Sequence, residues 1–142
     1  MTDYVATRWY RAPELLLGNV YGKEVDIWAI GCIMGEITDG DPLFPGESEI
    51  DQLFCIQKVV GKLPQALKEK FDENPRFVGC KFPEIAKPET IEKKYVGKMS
   101  SKALSLMNGM LNMEHEKRLT AIECLAHPYF DGLRNDEIEN LI

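Results

Sequence analysis

Between Lys23 and Thr38 the chain reads Glu24-Val25-Asp26-Ile27-Trp28-Ala29-Ile30-Gly31-Cys32-Ile33-Met34-Gly35-Glu36-Ile37, with apolar residues on every face from Ile27 to Met34. The length and the lack of strict alternation predict a helix rather than a strand. Apolar residues all round predict that this helix is buried on all sides. Ser48, with Asp51 three residues on, has capping-box spacing. It opens a second helix that carries Ile50, Leu53, Phe54, Gln57 and Val60 along one face and stops at Gly61. Ser100 or Ser101 starts another, with Leu104, Met107, Met110 and Leu111 at three- and four-residue spacing. Thr120 with Glu123 is a second capping box, opening a brief helix that ends before Pro128. Pro64, Pro75, Pro83 and Pro88 interrupt residues 62–99, where the pattern predicts a short helix near Gln65–Phe71 and otherwise irregular backbone. Residues 1–22 read as loop with a short apolar turn at Leu15–Leu17. No strand pattern and no repeat stands out, so the fold class expected is mainly α.

Charge and cysteine spacing narrow the function classes. A formal net charge of −6 over 142 residues argues against a general nucleic-acid binder, which shows a basic face or stripe. Cys32, Cys55, Cys80 and Cys124 form no Cys-x-x-Cys pair, and neither His115 nor His127 sits at finger-like spacing from one. Reduced thiols are therefore expected rather than a zinc site. No charged-then-apolar leader opens the chain, and no apolar run approaches the about 18 residues of a membrane span. The expected location is the cytoplasm or nucleus, with no nucleic-acid or membrane partner.

The chemistry-bearing residues crowd the first fourteen positions. Thr2-Asp3-Tyr4-Val5-Ala6-Thr7-Arg8-Trp9-Tyr10-Arg11-Ala12-Pro13-Glu14 resembles the end of a eukaryotic protein-kinase activation segment closing on Ala-Pro-Glu. The stretch Val5 to Glu14 is similar to the group that holds cyclin-dependent and mitogen-activated kinases. Thr2-Asp3-Tyr4, Tyr21-Gly22-Lys23 and Pro42-Leu43-Phe44-Pro45-Gly46-Glu47-Ser48-Glu49-Ile50-Asp51-Gln52-Leu53-Phe54 look most like the cyclin-dependent-kinase-like subfamily. The resemblance implies the C-terminal lobe of a serine/threonine kinase over residues 1–130, with no N-lobe sheet, followed by an acidic tail at 131–142. Met113-Glu114-His115-Glu116-Lys117-Arg118 departs from the family's common Leu-Asp-Pro-x-x-Arg, which loosens one turn without changing the class.

Roles follow from the same resemblance. Thr2 and Tyr4 are expected phosphorylation sites for an upstream activating kinase. A phosphate needs guanidinium partners, whose planar fork binds it bidentately; Arg8 and Arg11 stand at the phosphotyrosine-binding positions. Thr7, Arg8, Trp9 and Arg11 are expected to form the substrate pocket for protein substrates. Glu14 is expected to pair with Arg118. Asp26, beside Trp28, is expected to be buried and to anchor the catalytic loop.

Gly-x-Gly-x-x-Gly, Val-Ala-Ile-Lys, His-Arg-Asp and Asp-Phe-Gly are all absent from these 142 residues. Phosphoryl transfer in kinases depends on those parts to position ATP and its metal ions. ATP and Mg2+ are thus expected for the complete kinase, and no catalytic, cofactor-binding or metal-binding residue is assigned here. The chain alone is expected to be inactive, as part of a kinase truncated at its N-terminus. A non-catalytic docking or decoy module and a degenerate remnant are the alternatives.

Overall fold

A computed structural model describes residues 8–18 and 21–133. Among them run seven α-helices and no strand: α1 Pro13–Leu16, α2 Glu24–Asp39, α3 Glu49–Val60, α4 Gln65–Glu73, α5 Ile91–Lys94, α6 Ser101–Met110 and α7 Ala121–Ala126. The mainly α expectation holds. Three 3-10 turns, at Pro75–Phe77, His115–Lys117 and Pro128–Phe130, fill gaps between helices.

Capping residues set the helix starts. Ser48 Oγ accepts from the Asp51 N–H at 3.0 Å, while Asp51 Oδ2 accepts from the Glu47 N–H at 2.9 Å. The carboxylate thus reaches one residue further back than a reciprocal box requires. Ser100, not Ser101, caps α6 by accepting the Ala103 N–H. Thr120 and Glu123 form the full reciprocal box at 3.1 and 2.9 Å. At the other end of α2, Gly40 takes φ +81°, the left-handed conformation that a helix stop favours and that glycine adopts without penalty.

α2 is the central element, but it is two-faced rather than buried on all sides. Ile27, Trp28, Gly31, Cys32 and Gly35 face the core. Ile30, Ile33 and Ile37 are exposed, at 50%, 46% and 79%. Among the described residues, helices pack against one side of α2 only. α6 lies across that side, close enough that a Cβ on Gly31 would meet Leu111 Cδ2 at 2.8 Å. Trp28 stacks on Phe44 with ring centroids 5.8 Å apart, filling the centre of a continuous core that also holds Leu53, Ile56, Tyr95 and Met107.

α3 buries a different face from the one its pattern predicts. Gln52, Leu53, Ile56, Gln57 and Val59 point inward, while Ile50, Phe54 and Val60 are only partly covered. Gln57 donates to the carbonyls of Leu53 and Pro83 and accepts from the Leu63 N–H, which draws the following loop onto the helix. Residues 62–99 are more ordered than their prolines suggest. Phe71 stacks on Phe77 at 4.7 Å and meets Phe82 edge-on at 5.1 Å, and Ile91 and Tyr95 are buried. Those apolar anchors override the turn composition.

Gly35 tests the packing. Alanine in mid-helix gains about 1 kcal/mol over glycine from propensity. A Cβ there would stand 2.5 Å from the Tyr95 hydroxyl and 2.8 Å from Met107 Cε, and overpacking costs about 1–3 kcal/mol. Gly35→Ala should therefore lower the urea midpoint. The Tyr95 hydroxyl is buried without a hydrogen-bond partner, so Tyr95→Phe should not destabilise. The two changes together should cost less than their sum, because the closest of these contacts is with that hydroxyl.

Candidate functional site

Five polar or charged side chains are buried among the described residues: Arg8, Glu14, Gln52, Gln57 and Arg118. All but Gln57 hold the segment Arg8–Glu14 against the helices. Burying a polar group is costly without partners, so each contact of this set carries weight.

Glu14 lies in the single turn of α1, which starts at Pro13. Its carboxylate takes a two-pronged contact from Arg118, Nη1 to Oε2 at 2.8 Å and Nη2 to Oε1 at 3.0 Å. Arg118 Nε also donates to the Asn112 carbonyl, and Nη1 to the Glu24 carbonyl, each at 2.9 Å. Its guanidinium carbon stands 5.2 Å from the Trp28 ring centroid, in cation–π range. The fork therefore joins α1, the start of α2 and the turn after α6 at one place.

The other end of the segment rests on a turn before α3. The Gly46 carbonyl accepts from both Arg8 Nη1 at 3.1 Å and Trp9 Nε1 at 2.9 Å. The Gly46 N–H donates to Gln52 Oε1 at 3.0 Å, and Gln52 Nε2 donates to the Trp9 carbonyl at 3.4 Å. Between the two ends, the Tyr10 hydroxyl donates to Glu36 Oε1 on α2. That bond to a carboxylate, and then burial, push the Tyr10 pKa up to about 12. The Arg11 N–H donates to the Arg8 carbonyl at 3.1 Å, closing a turn.

The sequence-derived site is thus partly assembled. Arg8, Trp9, Arg11 and Glu14 share one segment, and Glu14 meets Arg118. Thr2, Tyr4 and Thr7 lie outside the described residues. Asp26 corrects an expectation: it is exposed in the first turn of α2, while Trp28 is fully buried. The two occupy different sides of the helix, so Asp26 is a solvated acid beside a helix N-terminus, where the dipole favours it. Gln52 was missed because the sequence pattern placed the inward face of α3 on Ile50, Leu53 and Phe54. Gln57, already assigned to that face, was the available signal that amides are buried there.

His115 sits 3.1 Å from Glu116 and 3.7 Å from Glu24, on the turn that departs from the family pattern. Among the described residues no three His, Cys, Asp or Glu side chains gather as metal ligands. No helix of the described residues is long and apolar enough to cross a membrane.

A helical lobe that pins an Ala-Pro-Glu segment through a distant arginine is the architecture of a protein kinase. The family description "Protein kinase domain" matches residues 1–130, and the chain belongs to that family. Its relatives include cyclin-dependent kinase-like 5 of Mus musculus and of Homo sapiens. Each is 54% identical over 133 residues, covering 94% of this chain and 14% of the relative. Cyclin-dependent kinase-like 2 of Homo sapiens is 49% identical over 130 residues, 91% of this chain and 26% of that protein. A solved structure of a Map kinase from Leishmania major, bound to a small molecule, superposes with a TM-score of 0.81 at 31% identity. That match covers 95% of this chain and 44% of the kinase, so the helices here correspond to the C-lobe portion of the fold.

Removing one partner of a buried ion pair strands the other and typically costs ~3–5 kcal/mol. Arg118→Ala should lower unfolding free energy by about that much, with Glu14→Ala adding little in the double variant. A urea-denaturation cycle measures the coupling, and additive losses would show that the two side chains act independently.

Tyr10 makes a pH prediction. Its folded pKa, about 12, is raised above the ordinary 10.0. The folded state therefore holds the proton more tightly, and the contribution is complete below pH 10 and lost as pH climbs towards 12. Tyr10→Phe should lose stability less steeply than the unaltered chain over that window in alkaline denaturation.

Proposed function

We propose that this chain is the activation-segment end and following C-lobe of a serine/threonine protein kinase. The complete kinase moves the γ-phosphoryl group of ATP, with Mg2+, to a Ser or Thr hydroxyl of a protein substrate. The hydroxyl gives up its proton to a base or to solvent as the new O–P bond forms and the bridging bond to the β-phosphate breaks, and ADP departs with that bond's electron pair. The observation that carries this reading is the segment Arg8–Glu14, held at one end by Gly46 and Gln52 and at the other by Arg118. A surface fixed in that way suits an extended peptide.

On this reading Thr2 and Tyr4 are phosphorylated by an upstream activating kinase, and Arg8 and Arg11 hold the phosphotyrosine. Each phosphate adds about −1.5 to −2 charge and three strong acceptors. Thr7, Arg8, Trp9 and Arg11 wall the pocket for the residue after the phosphoacceptor. Asp26 stands ready to accept backbone N–H groups of the catalytic loop. The exposed Ile30, Ile33 and Ile37 face then seats that loop and its neighbouring helices. The protein works in the cytoplasm or nucleus, and the 142-residue chain by itself neither binds Mg–ATP nor transfers phosphate.

Two measurements test the proposal. Titration calorimetry of the 142-residue chain should give no Mg–ATP affinity at millimolar concentration; saturable binding would overturn the inactivity. The complete kinase should phosphorylate Ser/Thr peptides. Tyr4→Phe should lower its kcat/KM about tenfold or more, since hydrogen bonds to charged groups are worth ~1.5–3 kcal/mol. A complete protein that transfers phosphate to no Ser or Thr would sink the reading.

A further inference from the structure

Gln52 sits wholly buried on α3, beside Leu53 and Ile56 of the core. Its amide is used at both ends. Oε1 accepts the Gly46 N–H at 3.0 Å, and Nε2 donates to the Trp9 carbonyl at 3.4 Å. Flipping the amide would set oxygen against carbonyl oxygen and NH2 against N–H, so the surroundings fix its orientation. The Gly46 carbonyl meanwhile accepts from the Trp9 indole and the Arg8 guanidinium. Gln52, Gly46 and Trp9 therefore close a ring of hydrogen bonds across three separate stretches of chain.

The ring depends on close approach. A Cβ on residue 46 would stand 2.5 Å from the Gln52 Cα and 2.7 Å from its backbone nitrogen. Those are backbone atoms that cannot swing aside, so only glycine lets the turn reach α3. With Gln52 in place, the Trp9 carbonyl is turned towards α3. The indole is tied down by its own N–H, leaving ring shape as what this wall offers.

We propose that Gln52 is a positioning residue for substrate selection. Acting through Gly46 and Trp9, it sets the shape of the pocket that receives the side chain following the phosphoacceptor. The inference rests on the kinase reading above and adds a residue to it that touches no substrate.

The test uses the complete kinase that carries this chain, as Gln52→Glu. This variant keeps the acceptor for Gly46 and the side-chain shape but loses the donor to Trp9. Peptides differing only at the residue after the phosphoacceptor should be separated by a kcat/KM ratio about tenfold smaller than in the unaltered kinase, the scale of one lost buried hydrogen bond. KM should rise more than kcat falls, and amide exchange at residues 8–11 should quicken. If Gln52→Glu does not fold, Gln52→Met, which removes the amide's donor and acceptor at similar volume and buries no charge, carries the same expectation. An unchanged ratio, or a uniform fall across all peptides that follows a lower Tm, overturns the positioning role. Failure of the kinase reading looks different: the unaltered protein would then phosphorylate none of the peptides. In that case quickened exchange still supports the clamp as what fixes the loop, and unchanged exchange overturns that as well.

Discussion

A carboxylate and a guanidinium removed from water together make the strongest demand in this structure. Glu14 and Arg118 are each nearly inaccessible, and neither could stay buried without the other. Meeting that demand fixes the end of the segment Arg8–Glu14, because Glu14 can reach Arg118 only when α1 sits against the start of α2. The remaining donors of Arg118 then satisfy carbonyls of Asn112 and Glu24, so the same contact also orients the turn after α6. Whether the pair adds net stability over an apolar substitute is a separate matter. What it supplies is one geometry for three stretches of chain.

Much of this is readable from residue order alone. Helix starts at Ser48 and Thr120, and a third at Ser100 or Ser101, were legible because a hydroxyl followed three residues later by an acid or an apolar run is a local signal, decided within one turn. Glu14 with Arg118 was legible only through family resemblance, since no local rule links residues 104 positions apart. Burial was read less well. The pattern of α2 cannot tell a helix surrounded by partners from one with partners on a single side, because both use the same residues. The inward face of α3 was read from Ile50, Leu53 and Phe54, and Gln52 was not assigned to it. A side chain with both a donor and an acceptor is the type that can be buried wherever loops supply the complements.

The two buried glutamines show how a small set of amides organises irregular backbone. Gln57 fastens the loop after α3 and the stretch at Pro83, and Gln52 fastens the turn before the helix. Both project from one short helix, whose apolar neighbours Leu53 and Ile56 hold it in the core. α3 thus serves as a rigid rack on which segments lacking regular structure are hung. The prolines and glycines of those segments, which argued for irregularity when read locally, are the residues that let them follow the helix surface.

The span of the Glu14–Arg118 contact has a consequence for biosynthesis. A polypeptide leaves the ribosome from its N-terminus at roughly 5–20 residues per second. The acid is therefore exposed several seconds before its arginine is made. Contacts between distant positions also form late, after the entropy of closing the intervening loop has been met. The Glu14 end of the segment Arg8–Glu14 is consequently translated well before it can be secured, so a nascent chain stalled short of residue 118 would hold that segment by its contacts to Glu36, Gly46 and Gln52 alone.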